Sequence, residues 1–293
     1  MIVTILLILI FLFLPYQPSE VQQTESTKVL SETGSSDIAV KITYIGNEGF
    51  LISGRGKKIL IDALYREGNP EYVIIPPDRR KRMENARAPF DDIDLILATH
   101  YHADHFDPMA VGTHLINNPK AIFVSTNQAV DQLEMEFESY TKIKNRVKAV
   151  TPREGERIKM TPNGINLEII YLHHGRSRLI ENLGFIFEIS TKKLFHIGDT
   201  EASEKDLQIY SLTKDSINIA FLNSWYLIYE EWQSGVKNEI QPDSIIVMHL
   251  PSKNKGDAYI ESLGGWDTMA QKILKAFPNA YIFEEEMETK IYK

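Results

Sequence analysis

Two rhythms of apolar and polar positions run through residues 39–285, and the places where one gives way to the other mark the elements. Residues 39–45 alternate and predict a first strand. The turn residues Gly46-Asn47-Glu48-Gly49 then send residues 50–53 back as the second arm of a hairpin. Residues 58–62 predict a third strand, ending on Asp62. Residues 65–89 read as a long connection; its run Arg79-Arg80-Lys81-Arg82 fits a solvated basic turn better than an anion-binding lid. The apolar run 95–98 predicts a buried strand, 108–117 a short helix, 121–125 a strand and 128–140 an amphipathic helix. After a turn at 153–157, residues 167–172 form a strand running into His173-His174-Gly175. Residues 184–189 and 193–197 pair as a hairpin that ends in Gly198-Asp199-Thr200. A helical stretch at 204–212 precedes a buried strand at 217–222, and residues 244–248 make another strand that delivers His249. A helix over 264–277 and a last edge strand at 280–283 close the pattern. Strands alternating with helices predict an α/β fold.

The chemistry is densest at Thr99-His100-Tyr101-His102-Ala103-Asp104-His105, directly after the apolar run 95–98. Imidazole nitrogens and carboxylate oxygens at a strand end suit zinc, and also iron or manganese. His100 and His102 share one face of an extended backbone, while Asp104 and His105 approach from beyond the turn. That arrangement suits two adjacent cations. Of the neighbours His173 and His174, alternation along a strand allows one to bind. His114 reads as packing or exposed, His196 as structural, and Trp225 and Tyr226 as either pocket lining or core.

The pattern His-x-His-x-Asp-His after a strand, with a later His-Gly, Gly-Asp-Thr and Met-His in that order, resembles the metallo-β-lactamase superfamily. The resemblance covers nearly all of residues 39–285 and implies a four-layer αββα sandwich with the metals at one edge. It implies that His100, His102 and His174 (with His173 as fallback) hold one metal. Asp104, His105 and His249 would hold a second, and Asp199 would bridge them. Asp62 is then a support that hydrogen-bonds the metal-binding loop. The implied reaction is hydrolysis by a hydroxide shared between two divalent metal ions, zinc before manganese or iron, with Asp104 and Asp199 as catalytic carboxylates. The opening Gly-x-x-Gly-Phe is similar to the branch of ascorbate-phosphate lactonases and N-acyl-phosphatidylethanolamine phospholipase D. The expected substrate is therefore a small or lipid-like lactone, ester or phosphodiester. Relatives with such substrates often carry histidine where Asn47 stands. A β-lactam is disfavoured, because classical β-lactamases usually replace the bridging aspartate with cysteine.

Composition adjusts this picture at three points. The 293 residues contain no cysteine, so there are no disulfides and no thiolate ligands. A net charge of −8 argues against a nucleic-acid partner. No residues are left for the flavodoxin domain that a flavodiiron oxidoreductase would need. Residues 1–16 form an apolar run broken at Pro15, shorter than the roughly 20 residues that span a bilayer. They read as a secretory signal, with an uncleaved membrane anchor as competitor because no basic residue precedes the run. Residues 17–37 read as a polar linker and 38–293 as the hydrolase domain of an exported or membrane-anchored protein. The competing function is an exported binding protein that keeps its metals for stability.

Overall fold

In the computed structural model, residues 39–175 and 178–293 are described. The leader and linker expected at 1–16 and 17–37 lie outside them. No helix among the described residues is long and apolar enough to cross a membrane.

Two seven-stranded sheets carry the fold. In the first, β1 (Val40–Gly46), β2 (Gly49–Gly54) and β3 (Lys57–Ile61) form an antiparallel meander. Parallel pairing then adds β4 (Leu95–Leu97), β5 (Ile122–Ser125) and β6 (Val147–Ala149). In the second, β7 (Arg157–Met160), β8 (Leu167–Tyr171), β9 (Leu183–Ile189) and β10 (Lys192–His196) are antiparallel. There β11 (Ile219–Asn223), β12 (Ser244–Met248) and β13 (Ala280–Ile282) continue in parallel. The last strand of the chain is β14 (Thr289–Tyr292), which returns to the first sheet and pairs with β1, so the strand at 280–283 is not the last.

Alternation within the strands explains the layering. Ile59 and Ile61 of β3, Leu95 and Leu97 of β4 and Val124 of β5 face the second sheet. Their neighbours Leu60, Ile96 and Phe123 face the outer helices α2 (Pro108–Asn117) and α3 (Asn127–Glu136) instead. A parallel strand covered on both sides must be apolar at every position, which is why these strands read as continuous runs. Each such side chain contributes roughly 1.5–3 kcal/mol when fully buried. Both helices start on side-chain caps: Asp107 accepts from Ala110 N and Thr126 from Ala129 N. The second sheet is covered by α4 (Glu204–Gln208), α5 (Ser224–Ile228), α6 (Glu230–Gly235), α7 (Ala258–Ser262) and α8 (Trp266–Ala276).

The connection 65–89 differs from its sequence reading, because Pro77–Glu84 is a helix, α1. Pro77 presets the first turn, and buried Met83 gives the helix an anchor that a tally of charges hides. The basic run is tied to the protein. Arg79 pairs with Glu286 at 2.8 Å, Arg80 donates to Arg66 O, and Arg82 donates to Ala88 O. The helices expected at 128–140 and 204–212 are shorter, each followed by a separate 3₁₀ turn.

Candidate metal centre

Four strand ends and one hairpin turn meet at one edge of the sandwich. β4 ends at Leu97 and the chain runs through His100, His102, Asp104 and His105. β8 leads to His174, β10 to Asp199 and β12 to His249. The β1–β2 turn adds Asn47 and Glu48. Carboxyl ends of parallel strands are where open α/β sheets place ligands. The backbone is held in left-handed conformations here at non-glycine residues: Asn47 at φ +47°, Asp62 at +44° and His249 at +51°. Strain of this kind collects where a fold must aim side chains.

Ligand-capable atoms of His100, His102, His174 and Asp199 all lie within 4.8 Å of one another, and so do those of Glu48, His105 and His249. Asp199 links the groups: its Oδ2 is 3.0 Å from His174 Nε2 and 3.6 Å from His249 Nε2. Asp104 stands beside the second group, with Oδ2 3.8 Å from His105 Nε2 and 3.2 Å from the Asn47 Nδ2 that donates to it.

Hydrogen bonds fix which imidazole nitrogen is free. Asp62 accepts from Thr99 N at 2.7 Å and from Thr99 Oγ1 at 2.6 Å. With its hydroxyl proton committed to Asp62, Thr99 Oγ1 accepts from His100 Nδ1 at 3.1 Å. His105 Nδ1 donates to Asp62 at 3.1 Å. Nδ1 of both rings is thus engaged, and Nε2 is the nitrogen left over. Buried polar atoms normally find partners, yet Nε2 of His100 and of His105 have none. A cation is the partner such a donor set suits.

Burial holds His100 well below the usual histidine range, and His102 is lowered for the same reason. Both are thus neutral and ready to bind. Burial also disfavours a charged His105, but the Asp62 hydrogen bond and the carboxylates of Glu48 and Asp104 outweigh it and push that ring up to about 10. Burial raises Asp199, yet His249 and His174 hold its carboxyl well below the usual range. Burial raises the Glu48 carboxyl well above its usual range.

A family model described as a Beta-lactamase superfamily domain matches residues 57–229, more than half of the chain. The chain belongs to the metallo-β-lactamase superfamily. It is similar to a UPF0173 metal-dependent hydrolase of Pyrococcus abyssi, 27% identical over 72% of this chain and 84% of that one. A UPF0173 metal-dependent hydrolase of Pelotomaculum thermopropionicum is 27% identical over 72% of this chain and 84% of its own. Among solved structures, a metallo hydrolase of Ignicoccus hospitalis has a TM-score of 0.52 at 18% identity, covering 87% of this chain and 99% of that one. The metallo-beta-lactamase fold protein YhfI of Bacillus subtilis scores 0.53 at 12% identity, covering 87% and 100%. These likenesses show the fold, and the four-layer sandwich expected from the sequence is the one found.

Of the motif residues, His100, His102, His174 and Asp199 gather in one group and His105 and His249 in another, whereas Asp104 is in neither. His174 joins the first group, whereas His173 turns aside, its Nδ1 2.7 Å from Gly175 O and its Nε2 3.3 Å from Asp206. His114 is fully buried against Met83 O, and His196 against Glu48 O. Tyr226 is core, its hydroxyl donating to Ala202 O. Trp225 lies edge-on to His249 with ring centres 5.0 Å apart. Two residues escaped the sequence reading. Tyr72 reaches from the 65–89 connection to His249, hydroxyl to Nδ1 2.8 Å. Glu48 stands in a turn, where a charged side chain is expected in water, but it is fully buried.

Proposed function

We propose that this chain is a hydrolase that uses two divalent cations to cleave a lactone, ester or phosphodiester bond. The observation that carries the reading is the pair of neighbouring ligand groups, linked by Asp199 of the first standing 3.6 Å from His249 of the second, with buried His100 and His105 Nε2 atoms that lack a hydrogen-bond partner. His100, His102, His174 and Asp199 would hold one cation. His105 and His249, with Asp104 at their side, would hold the other. Zinc is the first choice for such nitrogen-rich sites, with manganese or iron as alternatives. When bound, divalent cations lower the pKa of water and polarise a carbonyl or phosphoryl oxygen. Thr99 and Asp62 lock the tautomers of His100 and His105, so neither ring has to reorganise. Asp104, held by Asn47 and partly open to solvent, is placed to accept the proton of an attacking water. The relatives named metal-dependent hydrolases favour hydrolysis over simple binding.

The substrate we propose is small or lipid-like; the net charge of −8 disfavours nucleic acid. The apolar run at 2–14 supports an exported or membrane-anchored protein, which mass spectrometry of the mature N-terminus tests. For the reaction, the purified chain loaded with Zn²⁺ or Mn²⁺ is offered lactones, carboxylic esters and bis-p-nitrophenyl phosphate. Turnover of one class, lost in His102→Ala, is expected. If no class turns over while His102→Ala loses metal and stability, the exported binding protein takes the place of the hydrolase.

A further inference from the structure

We propose that Glu48 is itself a metal ligand, completing the second cation position together with His105 and His249. The inference rests on the reading that this edge of the sandwich holds two cations.

The β1–β2 turn is an unexpected source for a ligand. Turn residues usually face water, yet Glu48 is fully buried behind the cluster. Its two oxygens are treated differently. Oε1 accepts a hydrogen bond from Asn223 Nδ2 at the end of β11. Oε2 is buried without any hydrogen-bond partner. Removing a carboxylate from water is costly unless a positive partner meets it. The ion-pair contact recorded for Glu48 among the described residues is His105, with Oε2 3.7 Å from Nδ1. That Nδ1 already donates to Asp62. Oε2 is therefore the ligand-capable oxygen that the protein itself leaves open.

Ligand-capable atoms of Glu48, His105 and His249 converge within 4.8 Å of one another. Asp104, the carboxylate that the motif supplies to this position, is in no such group. It takes the Asn47 hydrogen bond at 3.2 Å and keeps a quarter of its side chain exposed. Asn47 and Asn223 thus sort two carboxylates, one to the solvent side of the position and one to its interior side. A cation there would meet oxygen on both sides and imidazole from two strands, which satisfies Oε2 and His105 Nε2 together.

The test counts metal. The full chain, stripped with a chelator, is titrated with Zn²⁺ and then with Mn²⁺, and bound metal is measured after desalting. Unaltered protein is expected to hold two equivalents. Glu48→Gln keeps the volume and one oxygen facing Asn223 but lacks a charged ligand; it is expected to hold one, with the second bound more than 100-fold weaker. That threshold exceeds the roughly 10–100-fold that loss of an outer partner of a ligand costs. Two equivalents bound within 100-fold of the unaltered protein would overturn the proposal. Should Glu48→Gln lose its cooperative melt, a structure of the metal-loaded unaltered chain decides. Glu48 Oε2 is expected about 2.0–2.2 Å from a cation, and a separation beyond about 3 Å refutes ligation. If the unaltered chain never takes up two equivalents, the two-cation reading falls and Glu48 with it. Two equivalents with Glu48 dispensable defeat this inference alone.

Discussion

Gly198 gives the most direct test of how backbone geometry builds the centre. It immediately precedes Asp199 and sits at φ +66°, a conformation that costs a residue with a Cβ roughly 1–2 kcal/mol. A Cβ there would lie 2.4 Å from Asn182 Oδ1, 2.9 Å from Thr99 Cβ and 3.0 Å from Leu183 O. None of these can step aside freely. Asn182 is buried and its Oδ1 accepts from Asp199 N at 3.1 Å, Thr99 is locked to Asp62, and the third is backbone. Overpacking of this kind costs roughly 1–3 kcal/mol. Gly198→Ala is therefore expected to lose about 3 kcal/mol, or roughly 6–12 °C in Tm for a domain of this size. The strain falls on the segment that carries Asp199, so metal affinity is expected to drop as well, by at least about tenfold. Thermal melts of metal-free protein read the first effect, and titration with Zn²⁺ reads the second. A variant within about 0.5 kcal/mol of the parent, with unchanged metal content, would refute the argument that Gly198 is required for space and conformation.

Four further outcomes follow from the same contacts. His174→Ala is expected to release metal whereas His173→Ala retains it, as measured on desalted protein, because only His174 belongs to the ligand group. Tyr72→Phe keeps the ring beside His249 but removes the hydroxyl 2.8 Å from Nδ1; a 10–100-fold loss of metal affinity is expected, and unchanged affinity would deny Tyr72 an orienting role. Stripping the metal should lower Tm in a concentration-dependent way, since a ligand at 100 times its Kd adds about 2.7 kcal/mol. The last outcome concerns pH. Burial lowers His114 from 6.5 to about 4, so the folded form keeps it neutral while the unfolded chain takes up a proton below 6.5. Stability is intact above that pH and is lost as pH falls towards 4, by about 3 kcal/mol from this residue. Urea midpoints across pH 7 to 4 should therefore fall less steeply in His114→Gln, and an equal slope would exclude this residue as a source of acid sensitivity.

Much of this was legible in the chain because one physical cause wrote it plainly. Strands buried on both faces need continuous apolar runs, and 59–61, 95–97, 219–222 and 245–248 have them. The ligands follow those strands directly, so their order along the chain carries the geometry. What stayed hidden had no local signature. β6, β7 and β14 are edge or near-edge strands with exposed residues, so alternation there is weak. Six of the eight residues of α1 are charged and Met83 is its buried one, so charge masked it. Glu48 and Tyr72 act through partners 175 and 177 residues away, a separation that no window of sequence reports.

The cluster draws its side chains from both slabs of the sandwich: His100, His102, Asp104 and His105 from one, His174, Asp199 and His249 from the other. Neither slab owns a complete cage. A cation seated there acts as a rivet through the seam and can be captured only after the two slabs have met. On that geometry, loading is expected late in assembly. It should slow unfolding much more than it speeds folding, leaving the loaded protein durable mainly because it is slow to come apart.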